Sequence, residues 1–156
     1  MLPVATLRES KGKLMQDADL KKLLQEAKTI AVVGFSPQAH KPSFFVAKYL
    51  QSQGYRILPI NPALNGLPSG LMGEVGYADL ATAVEKTGLT IDIVDVFRRS
   101  EHTPGVLKEA MGVKAKAIWL QQGISNDDVG MRGQAAGMQV VMDRCIKTDH
   151  QRLMHQ

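Results

Sequence analysis

The sequence predicts an α/β fold, a doubly wound parallel sheet of five or six strands with helices on both faces. Short continuous apolar runs alternate with amphipathic helical segments along most of the chain, the pattern of strands that are buried on both faces and joined by helical crossovers. The crossovers span about 10 to 15 residues, which is enough for one helix each. With 156 residues, of which 44% are hydrophobic, the chain can bury a core without disulfides or structural metals.

The predicted single domain, residues 17–156, begins with a helix and a strand, after a weakly patterned N-terminal extension at 1–16. Asp17 or Asp19 is the expected N-cap, since a carboxylate accepts hydrogen bonds from the free N–H groups of the first turn. The apolar positions that follow share helical spacing and form one face; they are Leu20, Leu23, Leu24 and Ala27. The first strand covers 29–34, an apolar run that ends in glycine, and we expect it to be central in the sheet.

A second helix and a second strand follow. Pro42 suits the first turn of the helix because no intrahelical N–H partner is lost there, and Gly54 marks the end of the helix. The apolar stripe of this helix consists of Phe45, Val46, Tyr49 and Leu50. The second strand covers 55–60 and is expected beside the first, with Pro59 in a position that is unusual for a strand interior. Residues 63–76 hold four glycines and form the longest predicted loop.

The second half of the chain repeats the alternation of helix and strand. Asp79 is the expected cap of a helix that runs to about Lys86. The elements after it are a strand at 91–97, a helix at 101–112, a strand at 114–120, a helix at 126–136, a strand at 138–142 and a short helix from Arg144. Parallel strands place all their carboxyl ends at one edge of the sheet, where ligands of such folds bind.

Five predicted strand ends carry glycine or polar residues, and these define the candidate site. They are Gly34-Phe35-Ser36, Asn61-Pro62, Phe97-Arg98-Arg99, Gln121-Gln122-Gly123 and Asp143-Arg144-Cys145. Lys41 and Ser43 stand at the start of the second helix, whose positive dipole end attracts anions. Arg98 and Arg99 precede another helix, which is an unfavourable place for cations unless an anion binds there. Both features favour an anionic ligand.

A conventional dinucleotide site does not fit this pattern. The fingerprint of such sites is G-x-G-x-x-G after the first strand, and only Gly34 is present here. The second strand should also end in Asp or Glu to hold the ribose hydroxyls, whereas this chain has Asn61-Pro62. The sequence therefore disfavours NAD and FAD, although an NAD-binding redox sensor is kept as an alternative.

Six groups of segments carry a resemblance to a known family. They are 29–36, 41–43 with 46–50, 54–55 with 59–62, 92–99, 118–124 and 140–147. With these segments in this order, the chain resembles the small stand-alone CoA-binding proteins of bacteria and archaea. The resemblance runs from about residue 19 to residue 153. These share the Rossmann-like CoA-binding domain of the succinyl-CoA synthetase alpha subunit. The glycine-rich loop at 63–76 departs from the short acidic loop that is usual in the family.

The resemblance implies that the ligand is coenzyme A, or an acyl-CoA, and that the protein is a binding or sensing module. The residues that it implies for the site are Gly34, Phe35, Ser36, Lys41, Pro42, Ser43, Asn61, Pro62, Phe97, Arg98, Arg99, Gln121, Gly123 and Cys145. The residues expected to line the pyrophosphate region are Gly34, Phe35, Ser36, Lys41 and Ser43. Arg98 or Arg99, or both, are expected to add positive charge there. Gln121 and Gly123 are expected at the amides of the pantetheine arm.

No catalytic set emerges from the residues. Asp92 and Asp95 are three apart on one predicted strand and so point to opposite faces; we expect hydrogen-bonded strand-edge carboxylates. The four histidines lack metal-ligand spacing, and a single cysteine allows neither an internal disulfide nor a cysteine-based zinc site. Cys145 is interpreted as a packing residue, as a thiol that forms a reversible mixed disulfide with CoA, or as the nucleophile of an acyl-CoA or CoA-thiol enzyme. Arg144 beside it is expected to lower its pKa if their side chains meet.

Charge and hydropathy exclude several classes of partner. Nineteen Lys and Arg against 15 Asp and Glu give a net charge of +4, which is too dispersed to indicate a nucleic-acid protein. Charged residues interrupt the N-terminal apolar run before an export signal forms, and no run reaches the ~20 apolar residues of a membrane span. A lone thiol is typical of a reducing compartment. The sequence thus predicts a cytoplasmic protein whose partner is a small molecule, and the resemblance implies a bacterial one.

Overall fold

Five parallel strands form the sheet of the computed structural model, which describes residues 15–155. Most of the predicted N-terminal extension, residues 1–14, lies outside the described residues. In chain order the elements are α1 (Asp17–Glu26), β1 (Thr29–Val33), α2 (Pro42–Ser52), β2 (Arg56–Ile60), α3 (Leu80–Thr87), β3 (Ile93–Val96), α4 (Thr103–Gly112), β4 (Ala117–Leu120), α5 (Asp127–Ala135), β5 (Gln139–Val141) and α6 (Ile146–Met154). Short 3-10 turns occur at Pro62–Leu64 and Ser100–His102. The predicted doubly wound parallel sheet is confirmed.

The strand order is β2-β1-β3-β4-β5, and every neighbouring pair is parallel. β1 lies inside the sheet with β2 beside it, as expected, but the middle position belongs to β3. Val32 of β1 pairs with Pro59 of β2 on one side and with Asp95 of β3 on the other. Because β2 is at the edge of this sheet, Pro59 costs no ladder hydrogen bond on its outer side. This position explains a proline inside a strand.

Helices cover both faces of the sheet, with α1, α2 and α6 on one face and α3, α4 and α5 on the other. Trp119, Leu24 and Leu50 are fully buried on the first face, and Leu80 and Leu107 on the second. Each such side chain contributes about 1.5–3 kcal/mol relative to an exposed one. Two largely aliphatic layers therefore hold the sheet rigid beneath the carboxyl ends of its strands.

The helix starts agree with the prediction in two cases and differ in one. Asp79 caps α3 by accepting a hydrogen bond from the Thr82 N–H at 2.7 Å, and Pro42 is the first residue of α2. For α1 the prediction is wrong, because Gln16 is the N-cap and Asp19 lies in the first turn. The Gln16 N–H donates to the Asp19 carboxylate at 3.3 Å, so the carboxylate acts from inside the helix.

The buried face of α2 differs from the prediction at its first aromatic position. Phe44 is buried against Phe35, with ring centroids 6.1 Å apart, whereas Phe45 is 44% exposed. Leu50 is buried, as expected. Adjacent phenylalanines can both fit a helical stripe, so spacing alone does not decide which of them faces the core. The result leaves Phe45 free to line the edge of the sheet where the strands end.

Asp92 is hydrogen-bonded, as the sequence predicted, but it precedes the middle strand β3 and does not lie at the edge of the sheet. It accepts hydrogen bonds from the Lys28 N–H at 2.8 Å and the Thr29 N–H at 3.0 Å, and Lys116 lies 3.3 Å away. Burial raises the pKa of Asp92, but the two backbone donors and Lys116 outweigh burial, and the net pKa is lowered. Asp92 therefore ties the amino ends of the strands together, away from the carboxyl-end edge.

Replacing Asp92 with alanine is expected to lower the free energy of unfolding at pH 7 by about 1–3 kcal/mol, because two backbone donors lose their acceptor. The pKa of Asp92 is lower in the folded chain, so its contribution is complete above the unfolded value of about 3.9 and is lost as the pH falls through the folded value. Urea titrations at neutral and acid pH measure this difference. Glu85→Ala, an exposed site on α3, is the control, and equal stabilities of Asp92→Ala and wild type at pH 7 would contradict the assignment.

Candidate functional site

The candidate site lies where the direction of the chain connections reverses. From β1 the chain moves to β2 on one side, whereas β3, the other neighbour of β1, leads on to β4 and β5. A crevice forms outside the carboxyl ends of the strands at such a point. Here it is a cleft of about 970 Å³, lined by residues that follow β1, β3 and β4, by the start of α2 and by the residue before α6. We call it the strand-end cleft.

Gly34, the first residue after β1, allows β1 and β3 to approach each other at the cleft. It has a φ of +83°, and a Cβ at this position would lie 2.6 Å from the carbonyl oxygen of Phe97. Its N–H donates to the Ile60 carbonyl at 3.1 Å. Both the left-handed backbone and the close contact require glycine. The contact between β1 and β3 is thus a steric reason for glycine at position 34, in addition to the expected close approach of the backbone to a phosphate.

Side chains hold the loop between β1 and α2 in a fixed shape. The Asn61 amide nitrogen donates to the Phe35 carbonyl at 2.8 Å, and the Ser36 N–H donates to Ser43 Oγ at 2.9 Å. Ser43 is the second residue of α2, after the N-cap Lys41 and Pro42. The loop is thereby tied to the positive end of the α2 dipole.

Three cations line the strand-end cleft, namely Lys41, Arg98 and Arg99. All three are exposed, and none forms an ion pair within residues 15–155. Each of the other arginines in this range is paired with a carboxylate; these are Arg56, Arg132, Arg144 and Arg152. Glu101 is the one acidic residue of the lining. The cleft therefore presents charged donors suited to an anion such as phosphate.

A second part of the lining comes from the end of β4 and the start of α6. Gln121 is buried, and its Oε1 accepts a hydrogen bond from the Ile146 N–H at 3.1 Å. The Gly123 N–H donates to the Asp143 carboxylate at 2.6 Å. Cys145 is half-buried at the N-cap position of α6. Each of the two residues expected at the pantetheine amides thus has one polar group engaged within the protein.

The start of α6 lowers the pKa of the Cys145 thiol. Burial opposes ionisation, but hydrogen bonds from Thr148, and then from Gln121, outweigh it. Arg144, which was expected to lower the pKa of Cys145 if their side chains met, does not contribute to this shift. Its guanidinium instead binds both carboxylate oxygens of Asp149, at 2.6 and 2.7 Å. The sequence therefore predicted the direction of this shift but assigned it to the wrong group.

The strand-end cleft brings together most of the predicted site residues. Those that line it are Gly34, Ser36, Lys41, Pro42, Ser43, Phe97, Arg98, Arg99, Gln121, Gly123 and Cys145. Asn61 and Pro62 instead line a neighbouring recess of about 560 Å³, which shares Gly34 and Arg98 with the cleft. Phe35 lines neither, because its side chain is fully buried in the core. The expectation that Phe35 lines the phosphate region is wrong.

Several lining residues were not predicted; they are Phe45, Val46, Ser100, Glu101, Gln122 and Ile124. Gln122 lies inside one of the five predicted strand-end segments and Ser100 directly follows another, so their positions along the chain were a sufficient signal. The orientation of Phe45 carried no such signal, because a neighbouring phenylalanine competes for the core. The Lys147 ammonium lies 5.5 Å from the Phe45 ring centroid, which adds a cation–π contact between α2 and α6.

Asp95 is a buried acid in the middle of the sheet. It is 0% exposed, and neither of its carboxylate oxygens has a hydrogen-bond partner among the described residues. The expectation of a hydrogen-bonded strand-edge carboxylate is wrong here, because β3 is the middle strand and Asp95 lies between Val32 and Trp119. Burial, and then the charge of Cys145, raises the pKa of Asp95 well above its ordinary value. The protonated form of Asp95 is therefore favoured over its carboxylate.

Residues 15–155 include neither a membrane-spanning helix nor a metal site of three or more side chains. None of the described helices combines the length and apolar character required for crossing a bilayer. Over residues 15–155, no group of three or more His, Cys, Asp or Glu side chains is placed to hold a metal ion.

Comparisons with known proteins agree with the fold and with the resemblance noted in the sequence. A family model described as a CoA binding domain matches residues 28–151. Uncharacterized protein YneT of Bacillus subtilis (strain 168) is 39% identical over 133 residues, which cover 85% of this chain and 93% of that protein. The structure of cell-free ID.343 from Thermus thermophilus has a TM-score of 0.81 at 37% identity, over 89% of this chain and 99% of that chain.

A longer enzyme contains a region of the same fold. The dinucleotide forming acetyl-coenzyme A synthetase 1 of Ca. Korarchaeum cryptofilum, in complex with phosphate and ADP, has a TM-score of 0.62 at 22% identity. The likeness covers 82% of this chain but 28% of that chain. At this identity the similarity concerns the fold alone.

Proposed function

The chain belongs to the CoA-binding domain family, and on that premise we propose that it binds coenzyme A, or an acyl-CoA, in the strand-end cleft as a non-catalytic binding or sensing module. One observation carries the proposal: Lys41, Arg98 and Arg99 line one cleft and have no counter-ion within residues 15–155. Coenzyme A carries a diphosphate and a further phosphate. Charge-assisted hydrogen bonds to such groups are among the strongest that a protein can make.

The start of α2 supports the placement of the diphosphate. Pro42 has no N–H, and the Phe44 and Phe45 N–H groups donate to the Lys41 carbonyl, so the Ser43 N–H is the donor that the first turn can offer to a phosphate. The hydrogen bond from the Ser36 N–H to Ser43 Oγ holds the preceding loop in place before the ligand arrives. A preformed loop reduces the entropy lost on binding.

The rest of the cleft suits a long, partly apolar arm. Phe45, Val46 and Ile124 supply apolar surface, and Gln121 and Gly123 supply polar groups. Small-molecule sites usually enclose roughly 300–1,000 Å³, and the strand-end cleft, at about 970 Å³, lies at the upper end of that range. We place the pantetheine arm along this part, with its end toward Cys145.

The histidine closest to Cys145 in sequence supports binding over turnover. A cysteine nucleophile that cleaves a thioester is normally activated by an adjacent base. His150 follows Cys145 by five positions, but its Nδ1 is hydrogen-bonded to the Tyr49 hydroxyl at 2.7 Å. Burial, and then His155, lowers the pKa of His150. An enzyme that uses Cys145 is kept as the second candidate, because Cys145 lies in the cleft.

Asn61 argues against the third candidate, an NAD-binding redox sensor. Its Nδ2 donates to the Phe35 carbonyl at 2.8 Å and its Oδ1 accepts from the Ala63 N–H at 2.9 Å. Both ends of the amide are therefore engaged in shaping loops. The residue at the end of β2 thus shapes the loops and offers no carboxylate to accept hydrogen bonds from ribose hydroxyls, as the acidic residue of an NAD site does.

Thermal unfolding of the purified full chain tests the proposal. CoA at 100 times its Kd is expected to add about 2.7 kcal/mol of stability, which corresponds to a rise in Tm of roughly 5–10 °C. NAD at the same concentration is expected to leave Tm unchanged. A rise with NAD, or no rise with CoA, would overturn the proposal.

Chromatography of acetyl-CoA after incubation with the protein separates a binding module from an enzyme. A binding module leaves the thioester intact at the rate of the buffer control. Release of free CoA that disappears in Cys145→Ser would favour the enzyme instead.

A further inference from the structure

Cys145 combines access to the cleft with activation of its sulfur. It lines the strand-end cleft and is the N-cap residue of α6, a helix of nine residues. Burial opposes ionisation of its thiol, but donors at the start of α6, above all Thr148, lower the pKa of the thiol. A cysteine at a helix N-terminus reacts through its thiolate, which such surroundings favour.

A buried acid without a partner lies beneath the same part of the cleft. Asp95 on β3 pairs with Trp119 on β4. Two residues further along the two segments come Phe97 and Gln121, which lie on the same face of the sheet as Asp95 and Trp119 and line the cleft. Asp95 therefore lies beneath the residues that line the cleft. Burial raises the pKa of Asp95, and the charge of Cys145 raises it further.

The carboxyl group of Asp95 and the thiol of Cys145 differ in how well their surroundings stabilise the charged form. The carboxyl group of Asp95 is fully buried and has no hydrogen-bond donor among residues 15–155, which strongly disfavours its charged form. The sulfur of Cys145 is half-buried at the N-cap of α6, and although burial opposes ionisation, Thr148 and Gln121 lower the pKa of its thiol. Since the two charges repel each other, the surroundings favour a negative charge on the sulfur over one on the carboxyl group.

We propose that Cys145 is a thiol–disulfide exchange site for the disulfide form of coenzyme A, an inference that rests on the proposed function. The Cys145 thiolate attacks one sulfur of CoA disulfide, a Cys145–CoA disulfide forms, the original S–S bond breaks, and one CoA leaves as a thiolate. One disulfide replaces another, so no further oxidant or reductant is needed. A small thiol reverses the step by attacking the CoA sulfur of the mixed disulfide, which releases the Cys145 thiolate.

Intact-mass spectrometry of the full chain after incubation with CoA disulfide tests the exchange. We expect an increase in mass of one CoA, its loss with dithiothreitol, and no adduct on Cys145→Ser. Glutathione disulfide, which has no phosphates, should react about tenfold or more slowly, because only CoA disulfide gains from binding in the cleft. The double variant Arg98→Ala with Arg99→Ala should slow the reaction of CoA disulfide far more than that of glutathione disulfide, so that the difference between the two rates shrinks.

Asp95→Asn tests the assignment of charge between the two acids. Asparagine is an uncharged replacement for a protonated carboxyl group, so the rate of adduct formation at pH 7 should stay within about threefold of wild type. Loss of exchange in a folded Asp95→Asn protein would show that ionised Asp95 is required and would overturn the assignment. The ultraviolet absorbance of the Cys145 thiolate in wild type at about pH 8, compared with urea-unfolded protein, provides a second readout. A smaller thiolate fraction in the folded chain would also overturn it.

Failure of the exchange and failure of the proposed function give different results. If calorimetry shows that reduced CoA binds but CoA disulfide gives no adduct, the exchange site is wrong and Cys145 is a packing residue. If reduced CoA does not bind, the proposed function fails first. Equal rates with CoA disulfide and glutathione disulfide would show a reactive thiol without a CoA site and would overturn the inference.

Discussion

Replacing Arg98 and Arg99 together with alanine is expected to weaken CoA binding about 100-fold or more. Each charge-assisted hydrogen bond contributes about 1.5–3 kcal/mol, and about 1.4 kcal/mol is a factor of ten in Kd. Both arginines lie in the strand-end cleft without an ion pair in the described residues, so their removal takes charge from the ligand site without breaking an ion pair there. The loss should be larger at low salt, because dissolved ions screen exposed charges.

Arg132→Ala is the matched control for this double variant. Arg132 is an exposed arginine on α5, paired with Asp128 at 3.4 Å, and it is not part of the cleft lining. Titration calorimetry with CoA at two salt concentrations measures all three proteins. Wild-type affinity in the double variant at low salt would contradict the placement of the phosphates.

Replacing Gly34 with alanine is expected to abolish measurable CoA binding and to lower the free energy of unfolding by about 2–5 kcal/mol. A left-handed backbone costs a residue with a Cβ about 1–2 kcal/mol, and overpacking a tight contact costs about 1–3 kcal/mol more. The added Cβ would lie 2.6 Å from the Phe97 carbonyl oxygen, which belongs to backbone that cannot move aside alone. The ends of β1 and β3 must therefore separate, and the phosphate region changes shape.

Gly137→Ala separates backbone strain from collision. Gly137 has a φ of +84°, close to that of Gly34, but a Cβ there would meet nothing within 4 Å. Urea titration should show a loss of about 1–2 kcal/mol for Gly137→Ala and a larger loss for Gly34→Ala. Equal losses in the two variants, with CoA binding retained in both, would show that the close approach of β1 and β3 is not needed for the site.

Much of the fold could be predicted because apolar runs and helical spacing report burial directly. The run at 29–34 has a single polar residue, Thr29 at its start, and became β1, inside the sheet. The middle place of β3 could not be predicted, because the order of strands depends on how the crossovers pack and leaves no local pattern. For the same reason the sequence could not show which of Phe44 and Phe45 faces the core. That choice depends on Phe35, which packs against Phe44 beneath the helix.

The location of the site could be predicted better than its electrostatics. Parallel strands bring their carboxyl ends together whatever their order, so Arg98 and Cys145 could be assigned to one edge from the chain alone. Side-chain pairing over long distances could not: Arg144 is paired with Asp149 instead of activating Cys145. Asp95 shows the same limit, since only the middle position of β3 leaves its carboxyl group buried without a partner.

A crystal structure of the full chain with CoA tests the central claim most directly. The account predicts the diphosphate between the start of α2 and Arg98 or Arg99, and the sulfur end of the pantetheine arm toward Gln121 and Cys145. CoA bound at any other surface, or a diphosphate placed away from both arginines and the start of α2, would contradict it.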